Sequence, residues 1–371
     1  MPFEHAMIND CGDVRPCCSW DIEVDNEDDP WPNIKDGGLS KAVHHKKFRQ
    51  VRQDILNGKD VDGCRKCHLQ EKIKGSSFRK YRNHTDRDFI NSTEFTADTH
   101  VLRYIETGFS ILCNLSCRMC WAGVSSTFWR ITRPGTKIGT AYNFDNESYD
   151  SDLTQLSEIK IVGGEPLMEQ KHDDFIHELI KQNIPDNQLK MTYHTNATML
   201  PSKKVQEFWK RCKLVQLNLS IDSYDKNNWE QRPGPYTWQD ILAVCDQYKE
   251  WAKEWGNIRL NIGGTLTKIN IFHVHEMEQW VKDYWQGSPG WGSYGFQLAE
   301  RPVQLSITDW KNNPERIQQV TEYVNTKIES QELQRHILSA FEEPTASGNT
   351  DFDSNQKLLD EYYGYNILQW L

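Results

Sequence analysis

Residues 113–120, CNLSCRMC, bring Cys113, Cys117 and Cys120 within eight positions, at spacings of four and then three. Thiolates suit iron–sulfur clusters and zinc. A structural zinc site closes its tetrahedron with four protein ligands, whereas three ligands leave a position open for chemistry. A zinc knuckle borrowing a distant ligand and a regulatory thiol group are the other readings of this spacing. Eight of the ten cysteines lie in tight groups: the triad, then Cys11, Cys17 and Cys18, then Cys64 and Cys67. Cys212 and Cys245 stand alone and read as buried thiols.

The elements that would position the triad follow from pattern. The chain has 371 residues and a formal net charge of −10, which argues against a general nucleic-acid binder. No run approaches the roughly 18 apolar residues of a membrane span. The first residues lack the basic and apolar regions of a signal peptide, so the chain reads as cytoplasmic, where clustered cysteines more often bind metal. Residues 1–95 are turn-rich and polar, with helical character confined to LSKAVHHKKFRQVRQDILNG. From about residue 100, VLRYIETG, EIKIVGG, KMTYHTN, LVQLNLSID, IRLNIGGT and FQLAERPVQLSI read as buried strands alternating with helices. That alternation predicts a parallel sheet with right-handed crossovers. The expected fold is α/β: a partial (β/α)6 TIM-like barrel over 96–310, a small cluster-binding domain over 1–95, and a helical extension over 311–371. Such a barrel keeps its site at the C-terminal ends of its strands, where the cysteine loop follows the first one.

The spacing Cx3Cx2C after a first strand resembles the radical S-adenosylmethionine (radical SAM) superfamily, and the likeness extends over residues 100–310. It implies that Cys113, Cys117 and Cys120 hold a 4Fe–4S cluster whose fourth iron binds S-adenosylmethionine. Reductive cleavage would then give a 5′-deoxyadenosyl radical that abstracts hydrogen. IKIVGGEP resembles the family's second-strand motif at Gly163, Gly164, Glu165 and Pro166, with Glu165 accepting from the methionine ammonium. By the same resemblance Asn196 lies near the cosubstrate, Ser220 and Asp222 face its ribose and carboxylate, and Asn261 is a further candidate. Met119 departs from the pattern, which often has an aromatic residue there; a thioether can still pack on adenine.

The N-terminal groups resemble the auxiliary-cluster module called SPASM, or its shortened twitch form, placed before the barrel instead of after it. The resemblance implies a second iron–sulfur cluster on Cys17, Cys64 and Cys67. Cys18 or Cys11 completes the set, or the site stays three-coordinate; a four-cysteine zinc ribbon is the competing reading. The implied substrate is a peptide or protein side chain, or else a small molecule such as an amino sugar; a metal-stabilised binding protein without turnover is the reading outside enzymology. An electron donor such as flavodoxin or ferredoxin is the implied partner. His273 and His275 read as ordinary polar residues, and Gln297, Glu300 and Arg301 as residues near the barrel mouth. The basic stretches HHKKFRQVR and KIKGSSFRKYRNHTDR are solvated faces or could steer an acidic substrate.

Overall fold

A computed structural model describes residues 2–9, 12–26, 28–137, 149–182, 184, 186–342 and 351–366. Its strands are β1 (His5–Ile8), β2 (Val14–Arg15), β3 (Tyr104–Gly108), β4 (Glu158–Val162), β5 (Lys190–Thr195), β6 (Leu214–Leu219), β7 (Ile258–Leu266) and β8 (Trp291–Leu298). They form one sheet in the order β2-β1-β3-β4-β5-β6-β7-β8. All neighbours from β1 to β8 are parallel, and β2 alone pairs antiparallel. The sheet is not closed. β3–β8 are the six expected barrel strands, although the sixth begins at Trp291, before the stretch read from sequence, because WGSY carries too little aliphatic character to announce a strand.

The N-terminal segment contributes more to this sheet than its polar composition suggests. β1 joins the barrel by parallel pairing with β3, in register His5↔Tyr104 to Ile8↔Thr107. HAMI is four residues long and gives almost no periodic signal. The single expected helix divides at His44–His45 into α1 (Gly38–Val43) and α2 (Lys46–Leu56). Three further helices follow: α3 (Arg65–Lys74), α4 (Phe78–Thr85) and α5 (Arg87–Ser92). The barrel helices are α6 (Ser126–Thr132), α7 (Gln170–Lys181), α8 (Lys203–Arg211), α9 (Lys226–Gln231), α10 (Trp238–Trp255) and α11 (Val274–Trp280). The extension carries α12 (Pro314–Lys327), α13 (Gln331–Ser339) and α14 (Phe352–Tyr363). Among the described residues no helix is long and apolar enough to cross a membrane.

Strand alternation separates two faces. Ile105, Ile159, Ile161, Met191, Tyr193, Leu217, Leu219, Leu260 and Ile262 join one apolar core with residues of the helices. The opposite face is polar and cross-linked from strand to strand. Lys160 Nζ donates to Glu106 at 3.1 Å, and Lys190 Nζ lies 3.0 Å from Glu158. Asn261 donates to Asn218 at 3.0 Å, and Ser293 donates to Asn261 at 3.1 Å. Fully packed barrels fill this layer with branched apolar side chains; here the sequence supplies hydrogen-bonding groups at every turn of the alternation.

Candidate active site

The loop after β3 is pinned by main-chain bonds before any side chain is considered. Ser116 N donates to Pro233 O at 3.0 Å, Arg118 N to Gln231 O at 2.9 Å, and Ser126 N to Ile111 O at 2.7 Å. Cys113 and Cys117 are buried and Cys120 half-buried. They pack about Leu115 with Met119 and Tyr236. The Cys120 thiol donates to Cys117, and this bond, opposed by burial and aided by Arg232, holds Cys117 below the ordinary thiol range. Arg232 Nη1 lies 3.5 Å from Cys117 Sγ. Burial, with Cys117 next, pushes Cys113 up to about 12. Three converging thiols with a guanidinium beside them fit an anionic thiolate-held cluster. Among the described residues no three His, Cys, Asp or Glu side chains form a ready cage for a single ion.

The GGEP turn packs directly on this loop, and the glycines explain how. Gly163 has φ +123°, a conformation that favours glycine. A Cβ on Gly164 would collide with the Leu112 carbonyl. With none there, Gly164 N reaches Ser110 O at 3.1 Å and Glu165 N reaches Leu112 O at 2.7 Å. The close approach is thus to the cysteine loop itself. Glu165 is 1% exposed and accepts from Thr195 Oγ1 at 2.8 Å, Asn196 N at 2.7 Å and Leu167 N at 3.2 Å. Burial pushes its carboxyl up to about 7 against those hydrogen bonds. Pro166 opens a short 3-10 turn capped by Glu165. Asn196 Nδ2 donates to Asn114 at 2.8 Å and lies 4.0 Å from Cys113 Sγ. Ser220, half-buried, is tied by its N–H to Thr195 O at 2.8 Å.

Two expected cosubstrate contacts have other partners here. Asp222, 1% exposed, is engaged by Arg232 through both Nε and Nη2, the latter at 2.9 Å, and accepts from Thr265 N at 2.7 Å. A buried carboxylate needs such pairing, and through it Asp222 fixes the cation beside Cys117. Met119 packs against Phe352, Ile269 and Leu305. Asn261 belongs to the polar face. His273 bonds Asn227 and Glu276, and His275 bonds Tyr323, as ordinary polar residues do. Gln297, Glu300 and Arg301 are exposed, and Cys212 and Cys245 are buried.

Of the N-terminal cysteines, Cys17 is near enough to Cys64 and Cys67 for each to raise its thiol, which burial above all pushes up to about 12. Cys18 is turned elsewhere. It hydrogen-bonds Glu106 and faces Lys160, on the polar face of the sheet. Cys18 lies in a turn closed by Trp20 N, which donates to Cys17 O at 3.3 Å, and in that turn its thiol reaches Glu106. Cys11 lies outside the described residues.

Four residues of this site were not foreseen: Arg232, Arg118, Gln356 and Asp360. Arg118 is 1% exposed, pairs with Asp360 at 2.8 Å, and donates to Gln356 at 3.2 Å and Glu230 O at 3.3 Å. Only Arg232 left a local trace, as a cation in the turn QRPGP ten residues after Asp222.

Residues 109–261 match the family model described as the radical SAM superfamily, and residues 1–68 match that of an iron-sulfur cluster-binding domain, SPASM. GTP 3′,8-cyclase of Vibrio cholerae serotype O1 (strain M66-2) is 29% identical over 187 residues, covering 48% of this chain and 50% of its own. That of Helicobacter pylori (strain ATCC 700392 / 26695) is 29% identical over 123 residues, 33% of this chain and 36% of its own. The chain therefore spans half or less of the length of these curated relatives. Among solved structures, native anSMEcpe with bound AdoMet aligns at TM-score 0.42 and 15% identity, covering 71% of this chain and 67% of that one. SuiB of Streptococcus suis bound to precursor peptide SuiA aligns at TM-score 0.38 and 15% identity, covering 70% and 60%. The match of residues 109–261 to the radical SAM superfamily implies a 4Fe–4S cluster and S-adenosylmethionine, and the match of residues 1–68 to SPASM implies further iron–sulfur clusters.

Proposed function

We propose that this enzyme abstracts hydrogen from a peptide or protein side chain received on the polar face of its open sheet. Cys113, Cys117 and Cys120 hold the 4Fe–4S cluster within a barrel of residues 96–310; Cys17, Cys64 and Cys67 hold an auxiliary cluster within residues 1–95. With S-adenosylmethionine and one electron, a cluster held there would supply radical chemistry for taking hydrogen from carbon. The chain's own residues do the rest. Arg232, fixed by Asp222, offsets negative charge at Cys117. Gly163, Gly164, Glu165, Pro166, Asn196 and Ser220 form the wall beside Cys113 that receives the cosubstrate.

The observation that carries the peptide reading is the polar face: Glu106, Lys160, Asn218 and Asn261 line a sheet left unclosed, so an amide-rich segment can be bound and can enter from the side. A second reading, a small-molecule substrate, is favoured by the curated relatives, which by name act on GTP. One experiment separates them. The reduced, reconstituted enzyme is given either deuterated peptides from a proteome digest or deuterated GTP, and 5′-deoxyadenosine is examined for deuterium. Label from the peptides alone supports the proposal; label from GTP alone establishes the second reading.

A further inference from the structure

The two edges of the sheet end differently. At one edge stands β2, two residues long and carrying Arg15. A short, charged strand is an ordinary way to stop further pairing. At the other stands β8, eight residues of sequence WGSYGFQL with no charge and no proline. Ala299 N donates to Leu266 O at 3.0 Å. Main-chain groups alternate in direction along a strand, so the N–H and C=O of Tyr294, Phe296 and Leu298 face away from β7. No strand among the described residues pairs with them. A groove of about 830 Å³ lies between β8 and α13, with Tyr294, Phe296, Ser330, Leu333 and His336 in its walls. Two polar atoms there, Tyr294 Oη and His336 Nε2, are buried and have no hydrogen-bond partner among the described residues. Such groups cost free energy until a ligand or water satisfies them. The groove is continuous with the polar face, because Ser293 lines it and also donates to Asn261 at 3.1 Å. Ser293, Gly295 and Gln297 are exposed.

We infer that the edge of β8 takes up the substrate as an added strand. The ligand is an extended, uncharged peptide segment whose main chain pairs with Tyr294, Phe296 and Leu298. A hydroxyl or carboxamide side chain of that segment meets Tyr294 Oη and His336 Nε2. The inference rests on the peptide reading above and names the element that performs the recognition. Main-chain pairing supplies affinity, and the side-chain pocket supplies selection. The segment is uncharged because β8 is uncharged, and because an ion buried at the pocket would need a counter-charge that a phenol does not provide. A second copy of this chain fits less well. Each copy carries a net charge of −10, so two repel. The groove is walled by α13, so a lone strand can lie beside β8, whereas a second sheet would bring its own helices against that wall.

The test is peptide binding to the reconstituted full chain, followed by fluorescence anisotropy. The probe is a fluorescein-labelled octapeptide of alternating threonine and valine; its fully N-methylated form, which has no N–H to pair, is the control. The plain probe should bind saturably and the methylated one about tenfold more weakly or worse. Tyr294→Phe should weaken the plain probe about threefold to tenfold, as loss of one buried hydrogen bond requires. Amide hydrogen exchange at Tyr294, Phe296 and Leu298 should slow in the complex. No saturable binding, equal binding of the methylated probe, or unchanged exchange at those three amides would each overturn the inference. Leu298→Pro removes one outward N–H, a change that an edge strand tolerates. Deuterium transfer from digest peptides to 5′-deoxyadenosine should fall in this variant while its circular dichroism matches wild type. Transfer persisting at the wild-type level would overturn the β8 edge and leave the peptide reading standing. Probe binding at the edge with no transfer from any peptide would overturn the peptide reading, and with it the edge as the substrate's site.

Discussion

Arg118 and Asp360 meet at 2.8 Å, joining the loop that carries the cysteine triad to a helix near the other end of the chain. The pair is part of a larger clasp. Gln356 Nε2 donates to Arg118 O at 3.0 Å while its Oε1 accepts from Arg118, and Ser116 Oγ lies 2.8 Å from Tyr363 Oη. Leu359 packs with Ala122 and Phe128, and Phe352 contacts Met119. What composition marked only as a helical extension is therefore the back wall of the cysteine loop.

Removing one partner from a buried ion pair leaves an unpaired charge and typically costs about 3–5 kcal/mol. Asp360→Ala should accordingly loosen the loop. In the reconstituted protein, iron held by the triad should pass to a chelator about tenfold faster or more, while iron at the N-terminal cysteines is released as in wild type. Lys357→Ala, on the exposed side of the same helix, should behave as wild type. Equal chelator rates for Asp360→Ala and wild type would show that the clasp does not support the cluster.

Gly164→Ala probes the contact between the two motifs. The added methyl meets the Leu112 carbonyl, so either the GGEP turn or the cysteine loop must move. Overpacking of this kind costs about 1–3 kcal/mol, and here it displaces the residue before Cys113. The expected result is a folded protein with far less triad iron after reconstitution, read by iron analysis beside circular dichroism. Wild-type iron content would mean the turn can retreat at no cost to the loop.

Glu165→Ala removes an acceptor from three donors. Buried donors left unsatisfied cost about 1–3 kcal/mol in all but the most adaptable sites, so thermal stability should fall. If the carboxylate also receives the methionine ammonium, S-adenosylmethionine affinity should drop about tenfold to hundredfold, as loss of a charge-assisted bond of about 1.5–3 kcal/mol requires. Calorimetric titration of the iron-loaded variant measures this. Reduced stability with unchanged affinity would confine Glu165 to holding Thr195 and Asn196.

The sequence was legible where chemistry and neighbours lie close together. Cys113, Cys117 and Cys120 share one loop; Gly163–Pro166 share one turn; the β4–β7 strands announce themselves by aliphatic runs. Illegible features share the opposite property. Arg118 gains its partner from a helix far along the chain, and nothing local distinguishes it from a solvated arginine. Asp222 reads by resemblance as a cosubstrate contact, and only folding brings Arg232 to it. Cys17 and Cys18 look equivalent in a string of letters, and only the direction of each side chain separates them. β1 is too short for any periodicity, and its place in the sheet comes from pairing with β3.

Acid sensitivity should come from buried histidines. His172, 1% exposed, bonds Tyr193 Oη at 2.9 Å, contacts Phe109, and has Asp173 3.9 Å away. Burial lowers its pKa to about 3. His100 is likewise lowered to about 3 by burial and then by Arg52. In the unfolded chain such groups titrate near about 6.5. The unfolded state therefore binds protons that the folded state refuses, and stability is lost as pH falls from about 6.5 toward 3, by on the order of 1 kcal/mol per pH unit per group. Urea unfolding at pH 7.5 and 5 should show this loss. His172→Phe should be less stable at pH 7.5 but lose less on acidification; an unchanged pH dependence would assign the acid sensitivity to other groups.

Iron content and cosubstrate cleavage together divide the labour between the cysteine groups. Two 4Fe–4S clusters require about eight irons per anaerobically reconstituted chain. Changing all three of Cys113, Cys117 and Cys120 to Ala should remove about four of them. Dithionite-reduced wild type should cleave S-adenosylmethionine slowly to 5′-deoxyadenosine and methionine even with no substrate present, measured by chromatography. Cys117→Ala should abolish this, because Cys117 is both a proposed cluster ligand and the thiol beside Arg232. Cys64→Ala should lose auxiliary iron and keep at least part of the cleavage. Cys18→Ala is the decisive member of the series. Its thiol bonds Glu106 on the polar face, so iron should stay at the wild-type level and uncoupled cleavage should persist. Loss of about four irons in Cys18→Ala would mean that loading turns this side chain around to join Cys17, Cys64 and Cys67.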